Sequence, residues 1–161
     1  MPHPLRTIRR GDLQAGMTLL ELIIACSILL ILSSAALPIA RYSIVRQKET
    51  ELHRNLREIR NAIDRYKDLA DRNQIRVEVG SEGYPPDLET LVNGVQLGAG
   101  SDRKIRFLRR IPVDPITGRA EWGLRAVQDD PDSTSWGGKN VFDVYSKSMG
   151  TALDGTRYAE W

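Results

Sequence analysis

Three sets of residues carry groups with chemical potential. The first is Glu21, a single carboxylate near the start of an otherwise apolar run that lasts to Ala40. A charged side chain costs about 2.5–3.5 kcal/mol at the centre of a bilayer on insertion scales, and less near the edges. A carboxylate kept in such a place has a partner or a function, or else snorkels to the interface. The second set is Asp143, Ser146 and the Asp154-Gly155 pair. Carboxylates at a strand end and in a glycine-containing loop suit calcium, which takes roughly six to eight oxygens in flexible geometry. Asp143 and Asp154 are the candidate ligands, and ordinary turn chemistry at Asp154-Gly155 is the competing reading. The third set is the two histidines. His3 precedes the apolar run, and His53 lies among charges, where a surface pair with Glu49 is favoured over a ligand set.

Beyond these, the chain shows no phosphate-binding glycine motif and no serine in a nucleophile-elbow pattern. The expectation is a protein that is not an enzyme. The arginines Arg54, Arg57, Arg60 and Arg65 are interleaved with acidic residues, as on a solvated helix face, so no nucleic-acid partner is expected. Formal net charge is +2, and the basic excess lies in the first 16 residues, without which the side chains sum to about zero. The only cysteine, Cys26, lies in the apolar run, so no internal disulfide is available and the rest of the chain must hold by packing, a metal or oligomerisation.

The element that must position Glu21 is the run itself. Residues 17–40 number 24, which as a helix span roughly 36 Å, enough for a hydrocarbon core of about 30 Å. A lone segment in lipid satisfies its backbone only as a helix. Pro38 removes one helical hydrogen bond and is expected to kink or loosen the helix about a turn earlier. A secretory signal cut after Ser34-Ala35-Ala36 is one alternative, and a plain signal anchor is another. Arg6, Arg9 and Arg10 precede the run while Arg41, Arg46 and Lys48 follow it, so flanking charge says little about orientation.

In Gly16-Met17-Thr18-Leu19-Leu20-Glu21, with a basic leader before and Pro38 after, the chain resembles the type IV pilin and type II secretion pseudopilin family. Counted from Met17, Glu21 is the fifth residue and Pro38 the twenty-second, as in that family; Met17 departs from the phenylalanine more usual there. The resemblance implies a leader of residues 1–16, cleavage between Gly16 and Met17 by a prepilin peptidase, and N-methylation of Met17. It also implies an assembly role for Glu21, facing the N-terminal amine of a neighbouring subunit.

Residues 17 to about 77 read as one long helix, with 17–40 in the membrane and 41–79 amphipathic. From Leu52 the apolar positions Leu56, Ile59, Ile63, Tyr66 and Ala70 recur at steps of four and three, which keeps one stripe on one face. Opposite charges four apart, Arg54/Glu58, Arg60/Asp64 and Asp68/Arg72, mark the other face. Residues 80–161 then form a globular part. Asp87 is placed to cap a short helix over residues 88–92, stopped by Asn93-Gly94. Residues 104–110 are expected to form a brief helix. Residues 119–127 and 141–145 are expected to form strands, with Ala120, Trp122, Leu124 and Ala126 on one face of the first. In the second, Val141, Asp143 and Tyr145 should oppose Phe142 and Val144.

Tyr84-Pro85 and the run from Phe107 through Asp114-Pro115 are similar to segments of the major pseudopilin; Ile116-Thr117-Gly118 departs from it. That subunit holds a calcium in its C-terminal loop, where Asp143 and Asp154 match its acidic ligands by position, although the loop between them is longer here. The expected fold is α+β: a long N-terminal helix packed on a small antiparallel sheet. The function implied is a structural subunit of the type II secretion pseudopilus that helps drive protein export. It would sit in the bacterial inner membrane by a single span, with the C-terminal domain in the periplasm. Its partners would be further copies in a helical fibre, other pseudopilins, the inner-membrane secretion platform, the peptidase and lipid. A type IV or competence pilin, and a membrane-anchored binding domain that never polymerises, are the alternatives.

Overall fold

A computed structural model describes residues 18–98 and 103–161, with the backbone alone at residues 35–40. The chain divides between Arg41 and Tyr42 into two compact units. The main helix, α1 (Leu19–Asp71), contributes to both.

In the first unit α1 starts from Thr18, whose hydroxyl accepts the Glu21 amide at 3.2 Å. Threonine followed three residues later by glutamate is a capping pattern, and it supplies a partner for one of the backbone donors that every helix start leaves over. The side chains from Leu19 to Leu32 are exposed. The hydroxyls of Ser27 and Ser34 turn back onto the carbonyls of Ile23 and Ile31, so these polar groups are satisfied within the helix. Among the described residues no helix is long and apolar enough to cross a membrane. Met17 and the side chains of residues 35–40, which belong to the 24-residue run, lie outside the described set.

The second unit is organised by the stripe on α1. Leu52, Ile59 and Ile63 are fully buried, with Leu56, Ala62, Tyr66 and Ala70 beside them. They pack against Leu88, Leu91, Phe107, Trp122, Val141 and Val144. The four-and-three spacing therefore marks a core face and not a free coiled coil. The helix stops at Asp71, short of residue 77. Asn73 adopts φ 53°. Its amide donates to Ala70 and that of Gln74 to Leu69, which closes the end as a Schellman motif. Asparagine in that left-handed position was the stop signal, ahead of the glycines. Ile75 then leaves the helix and forms an isolated bridge with Leu97.

The short helix α2 (Leu88–Asn93) forms as expected. Asp87 Oδ1 accepts the Thr90 amide at 2.6 Å, and Gly94 ends the helix at φ 79°. A Cβ at Gly94 would meet the Ile105 carbonyl oxygen at 2.5 Å, so the glycine is required twice over. Strands β1 (Val95–Gln96) and β2 (Lys104–Ile105) pair antiparallel. The brief helix expected over residues 104–110 is absent. After Ile105 the chain bends at Phe107, Arg109 and Arg110, and the amides of Phe107 and Leu108 both donate to the Leu91 carbonyl in α2. Both side chains are buried in the core.

Strands β3 (Trp122–Arg125) and β4 (Asp143–Ser146) pair antiparallel with Leu124 opposite Val144 and Arg125 opposite Asp143. The sheet is thus two separate two-stranded ladders. Trp122 and Ala126 are buried as expected, but Gly123 and Arg125 are buried too, and Ala120 is exposed. Both faces are covered because Tyr145 lies across Gly123, where a Cβ would come within 2.2 Å of its ring. The second strand starts at Asp143, two residues after the expected Val141. Val141 bonds instead to the Pro85 carbonyl, and Phe142 is half exposed.

The segment before β3 is pinned by buried polar groups. Asn55 on α1 donates to the Val113 carbonyl, and the Trp122 indole to that of Pro112, each at 2.9 Å. Asp114, fully buried, accepts the Ile116 amide and the Ser146 hydroxyl.

Candidate functional site

At the N-terminal end, Gly16 and Met17 lie outside the described residues, so cleavage and methylation there are not addressed by the geometry. Glu21 is the third residue after Thr18 and exposed, in the first turn of α1. A carboxylate there lies at the positive end of the helix dipole, in the turn where the backbone is capped. Thr18 is part of the motif in the sequence, but its capping role was not read there, although threonine followed by glutamate at the third position is readable as a helix start.

At the C-terminal end, Asp143 and Asp154 have separate hydrogen-bond partners. Asp143 meets a guanidinium fork: Arg60 Nε lies 2.6 Å from Oδ1 and Arg60 Nη2 3.3 Å from Oδ2. Arg125 Nη1 approaches Oδ2 at 3.6 Å. The group is sheltered, with the Asp143 side chain 26% and that of Arg125 11% exposed. Bidentate arginine–carboxylate pairs are among the stronger charge-assisted hydrogen bonds because two parallel contacts fix both planes. Asp154 is used differently. Its Oδ1 accepts the Thr156 amide at 2.9 Å and the Thr156 hydroxyl at 2.6 Å, closing a turn with Gly155 at φ 90°. Those bonds, led by the hydroxyl and aided by nearby His53, hold its carboxyl below the usual range. Among the described residues no three His, Cys, Asp or Glu side chains converge on one point. The residues present therefore do not fit a calcium shared by Asp143 and Asp154: one carboxylate is engaged by two cations and the other by its own turn.

The polar side of α1 instead grips the C-terminal segment. His53 does not pair with Glu49. It stacks on Trp161 with ring centroids 4.0 Å apart, and Glu49 Oε1 accepts from the Leu153 amide and the Tyr158 hydroxyl. Of the ion pairs expected along the helix, Asp68/Arg72 closes at 2.9 Å, whereas Arg60 leaves Asp64 for Asp143. Glu49, His53 and Arg60 are spaced by four and seven, a polar stripe beside the apolar one, and this pattern was available in the sequence. A surface cleft of about 370 Å³ lies along it, lined by Glu49, His53, Asp154 and Trp161 among others.

The family described as Prokaryotic N-terminal methylation motif matches residues 12–37. The match covers the end of the leader, the cap and most of the apolar run. This motif is the signature of type IV pilin-like and pseudopilin proteins, and implies prepilin-peptidase processing, pilin-type assembly and membrane anchorage in general. No curated protein and no solved structure matches the chain.

Proposed function

We propose that this protein, with the methylation motif at its N-terminus, is a pseudopilin: a non-enzymatic building block of the type II secretion pseudopilus, of the major subunit type. The observation that carries the reading is the motif seated on a capped helix start, Thr18 to Glu21, followed by a run of exposed apolar side chains. Exposed leucines and isoleucines in a row need a covering phase, since burying each contributes about 1.5–3 kcal/mol. The inner membrane before assembly, and neighbouring helices in the fibre afterwards, are that phase. Cleavage after Gly16 would free the amine of Met17, and its methylation would follow. Glu21 of one subunit then meets that amine on the next, which relieves a carboxylate and an ammonium of their desolvation cost together.

The second unit would stand in the periplasm and form the outer surface of a helical fibre, in contact with further copies, other pseudopilins and the secretion platform. The pseudopilus is favoured over a type IV pilus by the likeness of residues 107–115 to the major pseudopilin and by the absence of a cysteine pair for a C-terminal disulfide loop. The test is the native assembly. Fibres sheared or extracted from cells expressing the intact secretion genes should contain this chain as the main subunit, and its deletion should stop export while leaving twitching motility and DNA uptake intact. Loss of motility or uptake with normal export would favour a pilin. A chain recovered only as membrane-bound monomer would favour a non-polymerising binding domain.

A further inference from the structure

The C-terminal segment from residue 147 has little regular structure: one isolated bridge between Thr151 and Arg157 and a single turn of 3-10 helix (Tyr158–Glu160). Something must fasten it to α1 and β4, and two guanidinium groups are placed to do so. Arg60, besides its fork on Asp143, donates from Nη2 to the carbonyl of Val144 at 3.1 Å and to the backbone oxygen of Trp161 at 2.6 Å. Arg125 donates to the Ser133 carbonyl at 3.1 Å and to that of Ala159 at 3.3 Å, while its guanidinium lies 4.2 Å from the centre of the Tyr145 ring. Helix, strand, the 133 loop and the tail thus converge on two positive charges and one carboxylate. Carbonyl and carboxylate oxygens gathered from several segments around positive charge are what a calcium clamp also requires.

We propose that Arg60 and Arg125 fasten the C-terminal segment in place of a divalent cation, making the clamp part of the chain and independent of metal. Arginine suits the task because its charge is permanent and its planar fork holds several oxygens at once. The inference stands on this geometry and not on the fibre reading.

The experiment uses the full-length chain purified in detergent, with Tm and the rate of protease cutting in the tail measured in millimolar calcium and in chelator. For the unmodified chain the two conditions should coincide in both readouts. Arg60→Gln should lower Tm by on the order of 5 °C and speed tail cutting several-fold, equally with and without calcium. Asp143→Asn should do the same, and the double variant should lose little more than either alone, because the two groups serve one contact. Arg60→Lys, which keeps the charge and loses the fork, should fall between. A rise in Tm or in tail protection on adding calcium to the unmodified chain would overturn the proposal whatever the variants do. So would unchanged tail cutting in Arg60→Gln.

Discussion

Asp143 is a sheltered carboxylate and Glu21 an exposed one, and they differ in where their partners come from. Asp143 finds Arg60, 83 residues away along the chain. Glu21 sits in the first turn of its helix, beside a hydroxyl that caps the backbone and not the carboxylate. Its partner in the proposed account is a second molecule. Glu21→Ala should therefore leave membrane insertion and the fold of the second unit unchanged while fibre yield falls at least tenfold; quantitative blotting of extracted fibres against total membrane protein checks this. The contrast also explains what was legible at this scale. Caps could be read because donor and acceptor are three residues apart, as at Asp87 and Thr90. Asp143 could be recognised as an acid with a task, but spacing along the chain does not reveal which distant cation will reach it. Asp154 was open between metal and turn, and Thr156, two residues on, settled its hydrogen bonds locally.

At the level of elements, the long helix supplies the core for everything after it. Leu56, Ile59 and Ile63 were recognisable because a period near 3.6 has one cause, a helix with a single buried face. Leu56→Ala should cost about 2–5 kcal/mol, and Ile59→Asp should abolish the cooperative melt of the second unit, followed by circular dichroism on the full-length protein. The end of the helix and the segment after β2 were harder, because the stop is a single non-glycine residue in the left-handed region and two amides sharing the Leu91 carbonyl are a contact between elements. Two tyrosines tie the helix to its neighbours and set an alkaline limit. Burial, with Glu78 and Asp87 nearby, raises the pKa of Tyr66; burial and the bond to Glu49 raise that of Tyr158. Both shifts favour the neutral phenol in the folded state. Their contribution is whole below the ordinary value of 10.0 and is lost as pH climbs through the raised values. Stability should fall above pH 10, and Tyr66→Phe with Tyr158→Phe should flatten that fall in denaturant titrations between pH 8 and about 11.

For the whole molecule, the proposed function puts a first unit that carries the methylation motif in the membrane, and the second unit is a packed body whose tail is held by arginine. The division into an apolar stretch and a polar domain was plain from composition, because lipid and water select opposite side chains. Two ladders in place of one sheet were not, since strands of two to four residues carry too few alternations to define a face. The central claim is that the chain is made as a prepilin. Intact-mass and N-terminal sequencing of the protein from its native membrane tests it most directly. The account predicts a mature chain that begins at Met17 with one methyl group on its amine. A chain that still begins at Met1, or one that begins at Leu37 after a conventional signal cleavage, would contradict it.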